Sequence, residues 1–405
     1  MNIIAEKITF GGNSLGKING KNVFIPYAIP GEKLNVEIIE SKQDYDIAKI
    51  TEIIEASPDR IKAPCPYYES CGGCNMLHIK PEAQQKFRQS ILSDIFLQNG
   101  IDITSKIQVI SGPDYEYRCR FQLTNGGLSQ KKSNEIIPIS QCLCAEKKIN
   151  EYLAERPFEN RNKGRCQLFG SSFMINSDKV ILAQENKTKA MNNQNSSKNT
   201  KNKKYKFKEN HYFAGTVYSP ENTVKVQLND KTIAFDVRGF FQSNLFVFSK
   251  VLKLIQELLP GGKNILDMYS GCGSISAFLA DKYENVVLVE HNRDALVYAE
   301  ENLSGKKHIS FGMSGEAWVK NCASTCPAFD ACLIDPPRSG MEKEVCKYLC
   351  NSKIPLILSV SCDPSTQARD ISWLLKAGYT IKNMFLLDFY PNTSHIESLC
   401  VLEKA

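Results

Sequence analysis

The chain has 405 residues, of which 42% are hydrophobic and 23% charged, so two or three domains with ordinary cores are expected. Its formal net charge is +6, and residues 186–210 alone, with eight lysines and one acid, contribute +7. The rest of the chain is therefore close to neutral. Overall charge does not establish a nucleic-acid partner, because one local segment supplies the whole excess.

Neither a membrane segment nor an export signal is predicted. No stretch approaches the roughly 20 apolar residues that span a bilayer, and the first ten residues lack a basic start followed by an apolar run. Fifteen cysteines, an odd number in a long chain, argue against a disulfide framework. We therefore expect a cytoplasmic protein whose cysteines pack, bind metal or act as a nucleophile.

The first 240 residues divide by pattern into two predicted regions. Residues 1–57 alternate short strand-forming runs with glycine and proline, which indicates a small closed barrel or another small β-domain. Residues 58–240 mix a cysteine cluster, a helix over 81–99 ended by Gly100, and several strand pairs. Within them, the Asn- and Lys-rich segment 186–210 has almost nothing to bury. We predict that it is a disordered insertion, with a solvated loop favoured over an RNA-binding arm.

Residues 241–405 show a different pattern, in which helical and strand-forming segments alternate. This order predicts an α/β, Rossmann-like fold with a mostly parallel, doubly wound sheet. The last two segments, 379–391 and 395–404, look like an antiparallel hairpin. Ligands of such sheets bind at the carboxyl ends of the strands, so functional residues are expected there.

A glycine-containing turn, Tyr-Ser-Gly-Cys-Gly-Ser at 269–274, follows the strand that carries Asp267. Glycines let the backbone approach a ligand, and Glu290, at the end of the next strand, can accept hydrogen bonds from two ribose hydroxyls. The third glycine of the dinucleotide-binding motif GxGxxG is missing. The form D-x-x-x-G-x-G is instead typical of methyltransferases that bind S-adenosylmethionine, and a strand–turn–helix without a ligand is the alternative.

Another acid, Asp335, ends a later strand and is followed by two prolines and Arg338. The proline rings fix φ, and a residue before proline is kept extended, so this carboxylate is held rigidly. Such a group suits a hydrogen bond to the edge of a base. Asp-Pro-Pro also resembles the motif of methyltransferases that act on amino groups, so it does not choose the chemistry, and a structural turn is the alternative.

Cys362 ends the next strand, and Glu397 lies in the final hairpin, where it can reach the same cleft. A buried cysteine is usually inert packing, but this one lies beside a candidate cofactor and base site. The helix that begins near Ser365 is expected to lower the pKa of its thiol. A thiol nucleophile and a carboxylate base suit the methylation of an unactivated pyrimidine carbon, with His395 as a competing base.

A cysteine cluster is formed by Cys65, Cys71 and Cys74, in the pattern C-x5-C-x2-C, with Cys142 and Cys144 about 70 residues later. Three close thiolates and one distant thiolate can hold either zinc or an iron–sulfur cluster. Zinc sites more often combine two C-x2-C pairs, which this chain does not show. Spacing alone therefore leaves both open, with the cluster slightly favoured, and the cysteines outside these sites are predicted to be structural.

Taken together, these motifs resemble those of the RNA uracil-5-methyltransferase family, especially the bacterial 23S ribosomal RNA enzymes, over nearly the whole chain. The segment VFIPYAIPGEKL and the Ser-Pro-Asp-Arg that follows the barrel resemble a TRAM domain, an OB-like barrel that binds RNA. CPYYESCGGC resembles the family's iron–sulfur motif, and RGFFQSN resembles its Phe-x-Gln-x-Asn element. SCDP and FYPNTSHIES resemble the motifs that carry the nucleophile and the base.

The resemblance implies roles for individual residues. Cys362 would be the nucleophile and Glu397 the base. A 4Fe–4S cluster would be held by Cys65, Cys71, Cys74 and Cys142, the last fitting better than Cys144. S-adenosylmethionine would be bound by Gln242, Tyr269, Gly271, Gly273, Ser274, Glu290 and Asp335.

The resemblance also implies the domain plan and the partners. It gives a TRAM barrel at 1–57, a central α+β iron–sulfur domain at 58–240 and a methyltransferase domain at 241–405. The substrate would be RNA, with 23S rRNA favoured over transfer RNA, and the family default is a monomer. Neither the RNA nor the uridine is specified by the motifs.

Three positions depart from the family pattern. Asp363 stands in place of the usual Asn after the nucleophile, and Ser274 in place of the usual Asn after the glycine turn. A further donor contact falls near Gly315, which has no side chain. Two rival functions stay open: a methyltransferase that modifies an amino group and does not need Cys362, and an iron–sulfur RNA-binding protein without this activity.

Overall fold

The computed structural model describes residues 1–131, 133–184 and 220–404. The segment 186–210, for which we predicted a disordered insertion, lies outside the described residues. In the part of the chain that is described, every helix is too short or too polar to cross a membrane.

The N-terminal strands form a curled sheet in the order β1-β5-β6-β4-β3-β2. Their bounds are β1 Asn2–Ile4, β2 Lys7–Ile8, β3 Ser14–Ile18, β4 Lys21–Ile25, β5 Lys33–Ser41 and β6 Tyr45–Glu55. β1 and β2 follow each other closely in the chain, yet they pair with β5 and β3 at opposite edges of the sheet. The sheet therefore closes into a small barrel around its own apolar core, as the spacing of the turns predicts.

The region after the barrel is a mixture of one long helix, short strands and small sheets. Its elements are α1 Pro81–Gln98, β7 Ile107–Ile110, β8 Arg120–Thr124, β9 Leu128–Ser129, β10 Ile136–Ile137, α2 Lys147–Glu155, β11 Arg165–Phe169, β12 Ile181–Gln184, β13 Thr223–Leu228 and β14 Lys231–Asp236. β8, β11 and β12 form one antiparallel sheet, and β13 pairs with β14 in a hairpin. A small separate core lies between α2 and the sheet of β8 and β11.

The C-terminal region contains the doubly wound sheet. Its elements are α3 Leu245–Leu258, β15 Gly262–Met268, α4 Ser276–Leu279, β16 Tyr283–Val289, α5 Arg293–Asn302, β17 His308–Phe311, α6 Gly315–Asn321, β18 Ala331–Ile334, α7 Lys343–Asn351, β19 Leu356–Ser361, α8 Pro364–Lys376, β20 Tyr379–Leu387 and β21 Glu397–Lys404. The order of the strands is β17-β16-β15-β18-β19-β21-β20-β7. Among these described strands only β21 runs against the others, which confirms the predicted mostly parallel sheet with a final antiparallel pair.

Both faces of this sheet are covered, as its continuous apolar strands require. Side chains alternate between the faces, so Ile265 of β15 packs with α3, α4 and α5, whereas its neighbour Leu266 packs with α1, α6, α7 and α8. α1 and β7 come from the region before residue 240, and β7 pairs in parallel with β20. The sheet and its cores therefore run across the predicted division at residue 240.

The candidate residues of the sequence lie at the carboxyl edge of this sheet. Asp267 lies at the end of β15, Glu290 follows β16, Asp335 follows β18 and Cys362 follows β19. Because parallel strands end at the same edge, the topology alone collects these four side chains along one line.

Candidate active site

The turn after β15 is packed tightly against α5 and α4. Gly273 has φ +70°, and a Cβ there would lie 2.9 Å from Leu303 Cδ1 and 3.0 Å from Ala299 Cβ, so only glycine fits without a shift. Asp267 is buried and accepts a hydrogen bond from the Ser276 hydroxyl of α4. Burial raises the pKa of Asp267 to about 7.

Glu290 fixes the same turn from the side of β16. Its carboxylate accepts hydrogen bonds from the backbone N–H of Gly271 at 3.0 Å and of Asn292 at 2.6 Å. The side chain is buried, so these contacts hold it in one orientation. An acid fixed at the second strand end, beside a glycine turn, is suitably placed to bind ribose hydroxyls.

A cleft opens between this turn and the loop that precedes α3. Five of the predicted donor-site residues line it: Gln242, Tyr269, Gly271, Ser274 and Asp335. Within the described residues, Gln242 Oε1 and the Ser270 hydroxyl oxygen are buried without a hydrogen-bond partner, and both residues line the cleft. Since buried polar atoms are nearly always paired, these two atoms fit a polar ligand such as S-adenosylmethionine.

Cys362 and Glu397 are brought together by the pairing of β19 with β21. The two strands run antiparallel and their last pair is Ser361 with Ser398. Cys362 follows Ser361 directly and Glu397 precedes Ser398, and the charge of Glu397 acts on the Cys362 thiol. Cys362 is partly exposed to solvent, whereas Glu397 is buried. The nucleophile and base candidates, far apart in the sequence, therefore meet at the carboxyl edge of the sheet.

The neighbouring charges shift the pKa of both groups. Burial, together with the charge of Asp335, raises the pKa of Glu397 to about 8, against an opposing effect of Arg338. Burial and the charges of Glu397 and Asp335 raise the pKa of the Cys362 thiol to about 11. Our expectation that the following helix would lower this pKa is therefore wrong. Loss of water and two nearby acids outweigh the N-terminus of α8.

Three acids of the site thus have raised pKa values, since burial also raises the pKa of Asp335 to about 7. Asp335 and Asp267 line the cleft, and Glu397 and Asp335 both act on Cys362. A positive charge between such groups favours their ionised forms. The electrostatics of the cleft therefore suit a cationic ligand, such as a sulfonium.

His395, the competing base, lies in a different setting. It is exposed, and its ring packs edge-on against Tyr390 with 5.7 Å between the ring centroids. The groups whose charges raise the pKa of Cys362 are Glu397 and Asp335. Of the two candidate bases, Glu397 is thus the one whose charge acts on the thiol.

Two of the departures from the family pattern have a structural explanation. Asp363 is the N-cap of α8, and its carboxylate accepts hydrogen bonds from the backbone N–H of Ser365 and Thr366 at 2.9 and 3.2 Å. Asp and Asn cap helices about equally well, so this contact survives the change. A Cβ on Gly315 would lie 2.6 Å from Val345 Cγ2 and 2.9 Å from Glu342 Oε2, so these two side chains fill the space of the missing side chain.

The predicted metal ligands lie around one cavity of about 410 Å³. Its lining includes the thiols of Cys65, Cys71, Cys74, Cys142 and Cys144. Cys144 is buried, and its Sγ lies 3.7 Å from Cys74 Sγ. Across the described ranges, no three side chains of His, Cys, Asp or Glu lie close enough to hold a metal ion. A set of thiols spread around a cavity fits a cluster, whose ligands bind separate iron atoms, better than it fits one zinc ion.

Sequence reasoning missed three side chains of this site. Arg338 follows the Asp-Pro-Pro motif directly and acts on the pKa of both Cys362 and Glu397. Glu342 accepts a hydrogen bond from the Tyr269 hydroxyl across the turn. Asn75 accepts a hydrogen bond from the backbone N–H of Ser394, in the loop that precedes Glu397. The sequence shows Arg338 as a basic residue beside a motif. Glu342 and Asn75, by contrast, act through contacts between segments that are distant in the sequence.

The doubly wound sheet and the cleft at its carboxyl edge are the arrangement found in the α/β fold of methyltransferases. Family models match three parts of the chain: tRNA (Uracil-5-)-methyltransferase at residues 319–405, the Methyltransferase small domain at 248–350 and the TRAM domain at 1–51. A relative from Treponema denticola, described as an uncharacterized RNA methyltransferase, is 32% identical, and the match covers 98% of each chain. The chain therefore belongs to the RNA uracil-5-methyltransferase family.

One further relative and one solved structure of the same fold extend this comparison. The 23S rRNA (uracil(1939)-C(5))-methyltransferase RlmD of Shewanella sediminis is 28% identical over 98% of this chain and 94% of that protein. The crystal structure of the tRNA (uracil-54, C5)-methyltransferase of Pyrococcus abyssi, in complex with S-adenosyl-L-homocysteine, superimposes with a TM-score of 0.69 at 22% identity. That match covers 99% of this chain and 100% of the other, so the whole fold is shared.

The electrostatic pairing of Cys362 with Glu397 can be tested by alkylation of the thiol. At pH 9, above the pKa of about 8 of Glu397, that carboxylate is charged and disfavours the thiolate. The substitution Glu397→Gln removes the charge, so we expect Cys362 to react with iodoacetamide about threefold to tenfold faster, as a pKa lower by half a unit to one unit requires. Mass spectrometry of the peptide that contains Cys362 measures the rate.

At pH 6.5, where Glu397 is mostly protonated, the same substitution should change the alkylation rate little. Glu403→Gln is the matched control, because Glu403 lies at the far end of β21 and pairs with Lys382. Equal rates for the wild type and Glu397→Gln at pH 9 would show that the two side chains do not interact.

Proposed function

We propose that this enzyme methylates carbon 5 of a uridine in 23S rRNA through a covalent adduct between Cys362 and the uracil ring. The observation that carries the proposal is the pairing of β19 with β21, whose last pair, Ser361 and Ser398, is flanked by Cys362 and the buried Glu397. This pair lies next to Asp335, which also lines the predicted donor cleft. Nucleophile, base and methyl donor can therefore reach one pyrimidine.

The donor would occupy the cleft between the glycine turn and the loop before α3. Glu290 would accept hydrogen bonds from the ribose, and Gln242 Oε1, unpaired among the described residues, would accept one from the ammonium group or another donor. Tyr269, Ser274 and Asp335 complete the walls. S-adenosylmethionine supplies a methyl group on a positively charged sulfur, which the acids of the cleft accommodate.

The chemistry requires a uridine splayed out of the folded RNA, because the ring must be reached from its face. The Cys362 thiolate adds to carbon 6, and the electron pair of the C5–C6 double bond moves toward the carbonyl at carbon 4. Carbon 5 of the resulting enolate attacks the methyl group and displaces S-adenosylhomocysteine. Glu397 then removes the proton from carbon 5, the double bond re-forms and the thiolate leaves carbon 6.

The raised pKa of Glu397 suits its role as a base. A carboxyl group with a pKa of about 8 binds a proton more strongly than an ordinary glutamate, yet it can release that proton near neutral pH. Asp335 would hydrogen-bond the uracil edge or the reacting centre. Arg338 opposes the pKa shifts of Cys362 and Glu397, and so favours the ionised forms that the reaction needs.

The choice of 23S rRNA rests on the relatives and on the N-terminal barrel. Several relatives that match nearly the full length of the chain are named 23S rRNA (uracil(1939)-C(5))-methyltransferases. Residues 1–51 match the TRAM domain, which would give the enzyme an additional RNA-binding surface. A transfer RNA substrate is the second candidate, because the family model at residues 319–405 carries that name.

We also propose that Cys65, Cys71, Cys74 and Cys142 hold a 4Fe–4S cluster. The shared cavity of about 410 Å³ and the four thiols that line it support the proposal. The methyl transfer moves no electron to or from a redox centre, so the cluster would shape the protein or position the RNA. The iron and acid-labile sulfide per chain, in protein purified without oxygen, would measure it.

The roles of Cys362 and Glu397 can be separated by substitution. Cys362→Ala should abolish turnover, by at least about a thousandfold, since nothing else activates carbon 5. Binding of S-adenosylmethionine should be retained, because Cys362 lies outside the donor cleft walls. Glu397→Gln should instead accumulate a covalent RNA adduct that is already methylated, visible on a denaturing gel and by mass spectrometry.

Release of tritium from uridine labelled at carbon 5 separates this chemistry from the rivals. Transfer to an amino group, or RNA binding alone, releases none. Cys350→Ala is the matched control, because Cys350 belongs to α7 and should leave activity unchanged. Methylation retained by Cys362→Ala would refute the nucleophile, and a lack of adduct in Glu397→Gln would count against the base.

The RNA target can be read directly from cells. RNA from cells that lack the gene should have lost one 5-methyluridine from 23S rRNA while transfer RNA keeps its own. Expression of the wild type should restore the modification, whereas Cys362→Ala should not. Loss of 5-methyluridine from transfer RNA instead would establish the second candidate.

A further inference from the structure

The loop between β20 and β21, residues 388–396, delivers Glu397 to the site, and other parts of the chain hold it through its backbone. Four consecutive or near-consecutive carbonyls of the loop accept hydrogen bonds from outside it. The donors are Asn244 Nδ2 to Phe389, the Tyr117 hydroxyl to Pro391, the backbone N–H of Asn75 and Met76 to Asn392, and Arg88 Nη1 to Thr393. The position of the loop therefore depends on these neighbours, in addition to the turn that Thr393 makes with Tyr390 inside it.

Asn75, the residue after Cys74, makes more contacts to this loop than its backbone bond alone. Its side-chain Oδ1 accepts a hydrogen bond from the Ser394 backbone N–H at 2.9 Å. Its Nδ2 donates to the Ser394 hydroxyl at 2.9 Å and to the carbonyl of Gly11 in the barrel at 3.0 Å. One amide thus joins the cysteine segment, the loop that carries the base and the N-terminal barrel.

Gly12 of the barrel packs so closely against Asn75 and Ser394 that no side chain fits at position 12. A Cβ on Gly12 would lie 2.6 Å from Asn75 Nδ2 and 2.9 Å from Ser394 Cβ, and φ of Gly12 is +84°. Such close approach fixes the relative position of all three segments. A shift of Asn75 therefore has to move Ser394, which lies three residues before Glu397.

A second contact links the loop to the cysteine cavity on the other side. Asn392 has φ +67°, and its Nδ2 donates to the Asp114 carbonyl at 2.7 Å and lies 3.8 Å from Cys144 Sγ. Its backbone N–H donates to Gln84 Oε1 of α1 at 2.8 Å. Both asparagines thus connect the cavity wall to the loop, Asn75 from beside Cys74 and Asn392 from beside Cys144.

We propose that Asn75 is a positioning residue for Glu397, and that the cysteine segment acts on catalysis by holding the base in place through this side chain. The proposal rests on the role of Glu397 as the base. It explains why a cysteine-lined cavity with no part in the methyl transfer lies against the loop of the base. Asn75 is not among the described residues that line the donor cleft, so we expect its main effect at the proton-removal step.

The test is the variant Asn75→Ala in the full-length enzyme. We expect proton removal, and with it release of the RNA, to slow at least about tenfold, because a displacement of about 1 Å can cost a hundredfold. Formation of the adduct and the affinity for S-adenosylmethionine should change less than twofold, so the methylated adduct accumulates. Hydrogen exchange of the Ser394 amide, measured on peptides that cover 388–397, should accelerate at least tenfold.

Two other variants complete the experiment. Asn285→Ala is the control, because Asn285 also bonds through its amide, to Asn264, but lies at the opposite edge of the sheet; it should match the wild type. Asn75→Asp keeps the size and the acceptor for the Ser394 backbone N–H but loses the donor to the Gly11 carbonyl and to the Ser394 hydroxyl. It should slow proton removal in the same direction, which keeps the test open if Asn75→Ala does not fold.

An unchanged rate of proton removal in both Asn75 variants would overturn the proposal. So would a parallel loss of donor affinity, adduct formation and release, which is the result of a general structural defect. If Glu397→Gln traps no adduct, the base assignment fails on its own. Hydrogen exchange of the Ser394 amide would still show in that case whether Asn75 holds the loop. Failure of the base assignment can therefore be distinguished from failure of the positioning role of Asn75.

Discussion

The antiparallel pairing of β21 with β19 is the constraint on which the site depends. In a wholly parallel sheet, the first residue of each strand lies at the edge opposite the ligand site. Because β21 runs against its neighbours, its first residue, Glu397, lies at the carboxyl edge, where Cys362 follows the end of β19 and feels its charge. A slip of one residue in this register would turn Glu397 to the other face of the sheet. The antiparallel direction of β21 thus brings an acid, Glu397, next to a thiol, Cys362, at the edge where ligands of this fold bind.

The electrostatics of the site follow from the same arrangement. Desolvation and crowding raise the pKa of Asp335 and Glu397, and that of Cys362 rises with them. A cleft lined by Asp335 and Asp267, whose pKa values are raised, is well matched to a cationic donor. A positive charge on the bound donor would therefore favour the ionised forms of these acids. This view explains why the thiol need not be a strong acid in the free enzyme.

Much of this arrangement is readable in the sequence, because it depends on local patterns. Alternating helix and strand segments predict the sheet, and the strand ends at Asp267, Glu290, Asp335 and Cys362 follow from it. Other features depend on contacts between distant segments, which leave no periodic signal. The addition of β7 to the sheet edge, the fit of Glu342 over Gly315 and the bonds of Asn75 belong to this class. The direction of the thiol pKa was mispredicted because the helix is local, whereas the opposing acids come from other strands.

The central claim is that Cys362 and Glu397 act in turn on the same pyrimidine ring. The most direct measurement uses RNA in which the target uridine carries fluorine at carbon 5, so that no proton is available for removal. We expect the wild-type enzyme to stop after methyl transfer, and mass spectrometry to find a methylated, fluorinated nucleotide attached to the peptide that contains Cys362. An attachment to another cysteine, or complete turnover without any attachment, would contradict the account.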